Sequence, residues 1–253
     1  MKVTFLGTGT SQGIPVIGCT CDACKSDDPH DNRLRSSILA EVGEKHIVID
    51  TGPDFRQQML RYSVTKLDAV LFTHEHRDHI AGLDDIRAFN FIQKQSMDVF
   101  AEERVFKALK NEFPYVFAEK KYPGVPRINE HVISDAPFMI GEIQILPVRL
   151  MHYHLPVLGF RINDFAYLTD GSYISPGEKS KLKGLKHLVV NALRREEHIS
   201  HFTLSQALKL IDELEPEKGY LTHISHQMGK HEEISKELPG NITVVYDGFE
   251  IFS

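Results

Sequence analysis

Four metal-binding side chains crowded into six consecutive residues constrain this chain more than any other feature. Residues 73–79 read Thr-His-Glu-His-Arg-Asp-His, and the four candidate ligands are His74, His76, Asp78 and His79. The apolar, branched residues 67–72 just before them predict a buried strand. The cluster therefore falls on a loop at a strand end, where a rigid scaffold holds ligands that substrate can still reach.

The chemistry of this cluster predicts bound metal. Neutral imidazoles and a carboxylate suit a divalent cation such as zinc, manganese or iron. The interleaved spacing also allows the four donors to be divided between two neighbouring ions. A solvated polar loop that happens to be rich in histidine is the alternative, and the density of donors disfavours it. The run therefore predicts a dinuclear hydrolytic centre.

Length and composition limit the class of protein. The chain has 253 residues, of which 42% are hydrophobic, enough for the core of one α/β domain. No Pro-, Gly- or Ser-rich linker divides it, so residues 1–253 are predicted to be a single domain. A net charge of −6 gives no general basic surface, which disfavours nucleic acid as a partner. No apolar run has the length of a signal peptide or a membrane span, so no membrane association is expected. The sequence leaves open whether the protein forms a homodimer.

Three cysteines form a second candidate site, at Cys19, Cys21 and Cys24. An odd number so closely spaced argues against a disulfide framework and for a reducing compartment, so a cytoplasmic location is expected. With His226, three thiolates and one imidazole complete a tetrahedral structural zinc site; free surface cysteines are the alternative. Such a site would attach an insertion at about residues 17–30 to the loop that carries His223.

Other candidate ligands also follow predicted strands. Residues 46–49 lead into Asp50, residues 165–168 into Asp170, and residues 219–221 into His223. Helix patterns lie between the strands, most clearly at residues 203–214 and more weakly at residues 54–60 and 102–113. The order predicts two sheets packed face to face with helices outside, a four-layer α/β arrangement that collects the ligands at one edge.

Together, residues 73–79, Asp50-Thr-Gly52, Leu168-Thr-Asp170 and Thr222-His223 resemble the metallo-β-lactamase superfamily over most of the chain. The resemblance implies an αβ/βα sandwich with two metal ions at the sheet edge. It assigns His74, His76 and a later histidine to one ion, and Asp78, His79 and His223 to the other, with Asp170 bridging both. Asp50 is implied to orient a ligand from behind the metals, although a strand-end turn aspartate is an alternative.

The later histidine is either His152 or His154. The resemblance selects His152, because the ligand of relatives lies seven residues before a glycine, here Gly159. If the segment is extended, both histidines point to the same face, so periodicity alone does not separate them.

The cysteine cluster and residues 7–15 (Gly-Thr-Gly-Thr-Ser-Gln-Gly-Ile-Pro) narrow the resemblance to the PhnP-like cyclic phosphodiesterases of the carbon-phosphorus lyase pathway. These enzymes open phosphoribosyl cyclic phosphates with active-site manganese beside a structural zinc. The resemblance therefore implies hydrolysis of a small or cyclic phosphodiester by metal-hydroxide attack. The expected cofactors are two divalent ions, Mn or Zn, in the active site and one structural Zn.

His201 lies just before the helix pattern at residues 203–214. It resembles the histidine that helps to protonate the leaving group in these phosphodiesterases and in the tRNA 3′-processing endonuclease. His201 is therefore a candidate catalytic residue, and the metal ligand Asp78 is the second candidate. An imidazole that titrates near neutrality suits a general acid. A histidine with no catalytic part beside a helix start is the alternative, and His198 is a weaker candidate for the same task.

Three rival functions are weighed against this hypothesis. A tRNA 3′-processing endonuclease would recruit RNA through a long flexible arm, which the sequence does not reveal. A glyoxalase-type thioesterase or lactonase would have no need of His201. A non-enzymatic, metal-stabilised binding protein is disfavoured by the intact ligand set. The remaining histidines have no partner pattern and are expected to be at the surface or locally satisfied: His30, His46, His131, His187 and His231.

Overall fold

Two seven-stranded β-sheets organise the chain, and the computed structural model describes all residues from 1 to 253. Each sheet belongs to one of two compact units. The first unit comprises Met1–Leu6, Ser37–Ser134 and Glu250–Phe252; the second comprises Gly7–Ser36, Asp135–Phe249 and Ser253. The single domain predicted for residues 1–253 stays a prediction beside this division.

The first sheet combines antiparallel outer strands with a parallel half. Its strands are β1 (Lys2–Gly7), β2 (Ser37–Val42), β3 (Lys45–Ile49), β4 (Ala69–Leu71), β5 (Met97–Ala101), β6 (Ile128–Val132) and β14 (Glu250–Phe252), in the order β14-β1-β2-β3-β4-β5-β6. β2 and β3 are antiparallel, whereas β3, β4, β5 and β6 run parallel. Since parallel strands end at one edge, Asp50 after β3 emerges beside residues 73–79 after β4.

Helices of the first unit bury an apolar face. They are α1 (Phe55–Arg61), α2 (Arg77–Ile80), α3 (Arg87–Gln93), α4 (Glu103–Glu112) and α5 (Pro114–Phe117), with a 3-10 helix at Leu83–Ile86. The helices predicted at residues 54–60 and 102–113 are therefore confirmed as α1 and α4. Phe55, Phe106 and Leu109 from these two helices are fully buried in the core of this unit.

The second sheet also combines antiparallel and parallel strands. Its strands are β7 (Phe138–Ile140), β8 (Ile143–His152), β9 (Leu155–Ile162), β10 (Phe165–Leu168), β11 (His187–Asn191), β12 (Lys218–Thr222) and β13 (Ile242–Val244), in the order β13-β12-β11-β10-β9-β8-β7. β7 to β10 pair antiparallel, and β10 to β13 pair parallel. Asp170 after β10 and His223 after β12 consequently leave the same edge of this sheet.

The helices of the second unit are α6 (Pro176–Ser180), α7 (Leu204–Leu214) and α8 (His231–Glu237), with 3-10 helices at Pro29–Asp31 and His226–Met228. α7 confirms the helix predicted at residues 203–214, because Thr203 caps it in a capping box with Gln206. α7 packs tightly on β12: a Cβ added at Gly219 would lie 2.8 Å from Ile211 Cγ2. None of the helices combines the length and apolar character needed to cross a membrane.

Candidate active site and zinc site

The histidine-rich run lies partly on a loop and partly on a helix. His74 and His76 follow β4 on the predicted loop, but Asp78 and His79 lie in α2, so the loop prediction is wrong for these two residues. The backbone of His76 is extended and the chain turns helical directly after it. The ring of His74 lies 4.6 Å from that of His76 and 4.2 Å from that of His79, centroid to centroid. The local fold thus gathers three imidazoles.

Asp50 is fully buried behind these imidazoles, as the family resemblance implies. Its Oδ2 lies 2.7 Å from His79 Nδ1 and accepts a hydrogen bond from Thr73 Oγ1, while its Oδ1 accepts one from Thr73 N. Burial raises the pKa of Asp50, an effect that His79 opposes. With the ring proton held on Nδ1, Nε2 of His79 carries the lone pair, and it lies 3.3 Å from Asp78 Oδ2.

Donors in the second unit come from segments far apart in sequence. Asp170 follows β10 and is buried with a left-handed backbone (φ 58°). His223 follows β12, also with φ 58°, and its Nε2 lies 3.3 Å from Asp170 Oδ1. His152 ends β8, and its Nδ1 lies 2.9 Å from the main-chain oxygen of Asp170, to which it can donate. Asp170 is therefore the centre of this group.

A turn separates the two candidate histidines of residues 151–154. The chain reverses at Tyr153 (φ 56°) between β8 and β9, so His152 and His154 do not share one extended segment. His152 lies with Asp170 and His201, with ligand atoms within 4.8 Å of one another. His154 is exposed, and its ring lies 3.7 Å from that of Tyr153. The geometry favours His152, whose assignment as the ligand stays a prediction.

His201 is buried among these donors. Its ring stacks on that of His223 at 4.9 Å and meets that of His152 edge-on at 4.6 Å, and its Nδ1 lies 3.8 Å from Asp170 Oδ1. Burial lowers the pKa of His201 to about 3, against the opposing effect of Asp170. A general acid carries a proton, so an additional negative charge beside this ring is needed to restore the imidazolium near neutrality.

The three cysteines and His226 have the geometry of a zinc site. Their ligand atoms all lie within 4.8 Å of one another, and His226 Nδ1 is 3.2 Å from Cys19 Sγ and 3.4 Å from Cys21 Sγ. Four donors at zinc bond lengths of about 2.0–2.3 Å form a tetrahedron with edges of roughly 3.3–3.8 Å, so this set fits zinc. Burial raises the pKa of the Cys24 thiol to about 11, so zinc binding there must displace a firmly held proton.

Sequence reasoning missed several residues that support these sites. Ser36 Oγ lies 3.1 Å from His223 Nδ1, a contact between segments 187 residues apart that no motif signals. Thr73 was visible only as part of the histidine-rich run. Two basic residues near the candidate ligands, Arg77 and Arg195, are paired with Glu112 and Glu237.

Comparison with known proteins places the chain in a family. Residues 45–224 match the β-lactamase superfamily domain, and the chain belongs to this family. A crystal structure described as a new diphosphatase from the PhnP family is 38% identical, with a TM-score of 0.93 over 99% of this chain and 96% of that chain. Zinc-bound PqqB from Methylobacterium extorquens shares the fold (TM-score 0.81, 17% identity, all of both chains covered).

A relative from Porphyromonas gingivalis named octanoyltransferase is 42% identical over 254 residues, which is 99% of this chain and 51% of that protein. The chain thus spans about half the length of this relative. The metallo-β-lactamase αβ/βα fold and the PhnP-like resemblance predicted from the motifs are confirmed. The matches also support the predicted enzyme class, a metal-dependent hydrolase.

Proposed function

We propose that this chain is a metal-dependent phosphodiesterase that hydrolyses small or cyclic phosphodiesters of the phosphoribosyl type. The observation that carries the proposal is the group of His152 with the buried Asp170 and His201, because it combines metal donors with an imidazole able to move a proton. The similarity to a PhnP-family diphosphatase supports a phosphorus-centred reaction. The three thiols favour a reducing compartment such as the cytoplasm.

The proposed ligand set follows the family pattern. It assigns His74, His76 and His152 to one cation and Asp78, His79 and His223 to the other, with Asp170 shared. Imidazole and carboxylate donors fit manganese or zinc. Two such cations, when bound, would supply an activated water and stabilise charge on a phosphoryl oxygen.

The chain's own residues would orient ligands and move a proton. Asp50 keeps the proton of His79 on Nδ1, which leaves Nε2 to bind a cation. Asp170 holds His152 through its main-chain oxygen. His201 would donate a proton to the departing oxygen, since the negative charge of a bound phosphodiester raises the pKa of a nearby imidazole. Its position beside His152 and Asp170 also suits a metal ligand, which makes metal content a necessary readout.

The second proposed metal is a structural zinc bound by Cys19, Cys21, Cys24 and His226. The sulfur–nitrogen distances given above support it. Its role would be to fix the insertion near residues 17–30 to the segment after His223.

Hydrolysis of a diphosphate is a second candidate function, because the relative that is 38% identical is described as a diphosphatase. Both reactions break a P–O bond, so the same groups would serve. A phosphate leaving group departs more readily than an alkoxide, so diphosphate hydrolysis needs less proton donation. Dependence of the rate on His201 therefore separates the two functions.

The test is a substrate panel with manganese- or zinc-loaded protein and an inactive Asp78→Ala control. The panel contains a phosphoribosyl cyclic phosphate, cyclic nucleotides, a diphosphate ester, pre-tRNA and an octanoyl thioester. We expect the cyclic phosphodiesters to give the highest kcat/KM. A preference of tenfold or more for the diphosphate would establish the second candidate. Turnover confined to pre-tRNA or to the thioester would overturn the proposal in favour of the corresponding rival.

A further inference from the structure

Arg194 connects two loops of the second unit through three hydrogen bonds. It follows β11 and is half-buried. Its Nη1 donates to Gln227 Oε1 at 2.8 Å, its Nη2 to Glu197 O at 2.9 Å, and its Nε to Glu196 O at 3.4 Å. The planar guanidinium holds its donors in a fixed fork, so the positions of the three acceptors depend on one another.

One of the three acceptors belongs to the zinc-binding segment. Gln227 follows the candidate zinc ligand His226 directly, within the 3-10 helix His226–Met228. Its backbone N–H donates to Ser225 Oγ at 3.2 Å, which further defines the backbone of this short helix. A cation that fixes His226 therefore also restricts where the carboxamide of Gln227 can lie.

The other two acceptors lie at the start of the loop of residues 196–201, which ends at His201. The far end of this loop is held by the backbone, since Phe202 N donates to Gly171 O at 2.7 Å and Leu193 N donates to Phe202 O at 2.9 Å. The loop tip is open to solvent, with Ile199 72% exposed. The start of the loop is held by the Arg194 side chain, so loss of those bonds would free it to move toward solvent.

We propose, resting on the function proposed above, that Arg194 is a positioning residue that couples the zinc-binding segment to the loop carrying His201. Zinc at the cysteine cluster restricts Gln227, Gln227 orients the guanidinium of Arg194, and the guanidinium fixes the carbonyl groups of residues 196 and 197. The loop then holds the His201 ring beside Asp170. Loss of the structural zinc would loosen this loop although none of the four zinc donors lies in it.

The test is amide hydrogen exchange of residues 196–202 in a double-mutant cycle. The four proteins are the wild type, Arg194→Met, Gln227→Leu and the double variant, each with its metal content measured. We expect each single variant to exchange about tenfold faster in this segment, and the double variant to exchange no faster than Arg194→Met. Effects that multiply in the double variant would show two independent contacts and overturn the coupling.

Zinc is tested as the origin of the coupling with Cys21→Ser, alone and combined with Arg194→Met. We expect Cys21→Ser to accelerate exchange in residues 196–202 in the wild-type background and to add no further acceleration when Arg194 is already replaced. Should Cys21→Ser unfold the unit, Gln227→Leu interrupts the same path at an exposed side chain. Equal acceleration by Cys21→Ser in both backgrounds contradicts a path through Arg194.

Three matched variants separate geometry from charge. Glu237→Gln breaks the neighbouring ion pair of Arg195 (2.7 and 3.0 Å) but keeps the Arg195 guanidinium, whose Nε donates to Met228 O at 3.3 Å, and it should leave the loop unchanged. Gln227→Glu retains an acceptor and should behave like the wild type, whereas Arg194→Lys should not restore protection. An accelerated loop in Glu237→Gln, or full rescue by Arg194→Lys, would refute the positioning role. The exchange readout needs no substrate, so failure of the proposed hydrolysis would be seen separately.

Discussion

The two groups of candidate metal ligands are assembled in opposite ways. In the first unit, His74, His76, Asp78 and His79 come from one stretch of six residues, and their geometry is set by a short loop and the start of α2. In the second unit, His152, Asp170, His201 and His223 come from four separate segments, each at the end of a strand or just before α7.

This difference decides what each group depends on. The first group needs local backbone geometry and one buried support, Asp50, which binds His79. The second group needs the register of a sheet, since β10 and β12 each pair with β11 and so bring Asp170 and His223 to the same edge. The compact group therefore depends on few contacts outside its own stretch, whereas the dispersed group also depends on contacts such as that of Ser36 with His223.

Removing a donor from the compact group is expected to have the largest effect. Asp78→Ala or His79→Ala should lower phosphodiester turnover by about 10³-fold or more, because each side chain is proposed to hold a cation that stabilises the phosphoryl oxygens. The fold should be retained, as measured by circular dichroism. Activity within tenfold of the wild type would remove both residues from the proposed dinuclear centre.

The second, dispersed group contains the candidate proton donor, His201. His201→Ala is expected to slow hydrolysis of a diester with an alkoxide leaving group by about 10² to 10⁴-fold, and to slow a nitrophenyl ester far less, because phenolate leaves without a proton. Metal content should be unchanged. Equal losses on both substrates would assign His201 to substrate positioning, and a loss of metal would assign it to the metal ligands.

The choice of ligand from β8 is tested by a matched pair. His152→Ala should release active-site metal, with an affinity loss of about 100-fold, whereas His154→Ala should change affinity little because His154 is exposed and lies beyond the turn at Tyr153. Metal titration of both variants provides the measurement. The opposite ranking would transfer the ligand assignment to His154.

The zinc site is the next test of how the second unit depends on contacts between remote segments. Cys21→Ser should remove about one equivalent of zinc, and a loss of about 3 kcal/mol would lower the melting temperature by roughly 6 to 12 °C. His226→Ala should behave in the same way. Unchanged zinc content and melting temperature in Cys21→Ser would exclude the site, and selective loss of active-site metal in His226→Ala would place His226 there.

The difference between local and remote contacts also explains how much of the structure could be predicted from the sequence alone. Periodicity predicted α7 to within one residue, and strand-like runs located the positions of Asp50, Asp170 and His223 at strand ends. Local patterns did not reveal that α2 begins at Arg77 or that the chain turns at Tyr153. The contact of Arg194 with Gln227 joins residues that lie 33 apart in sequence, and only the tertiary fold brings them together.

The smallest expected effect is a change in how the melting temperature depends on pH. It tests another contact between remote segments of the second unit. His231 Nδ1 lies 3.2 Å from Nη2 of the buried Arg33, 198 residues away in sequence. Burial, together with the charge of Arg33, lowers the pKa of His231 to about 4. The unfolded chain, with a histidine pKa of about 6.5, therefore binds more protons than the folded protein between these two values.

Stability from this contact is thus fully present above about pH 6.5 and is lost as the pH falls toward 4. In His231→Gln this loss is absent, so the melting temperature should fall less between pH 7 and pH 5, by about 2 to 4 °C, than in the wild type. His30→Gln is the control, since it removes a neighbouring imidazole, with a ring-centroid distance of 4.8 Å to His231, and keeps the His231–Arg33 pair. Parallel pH curves for the wild type and His231→Gln would show that protonation of His231 does not weaken this part of the second unit.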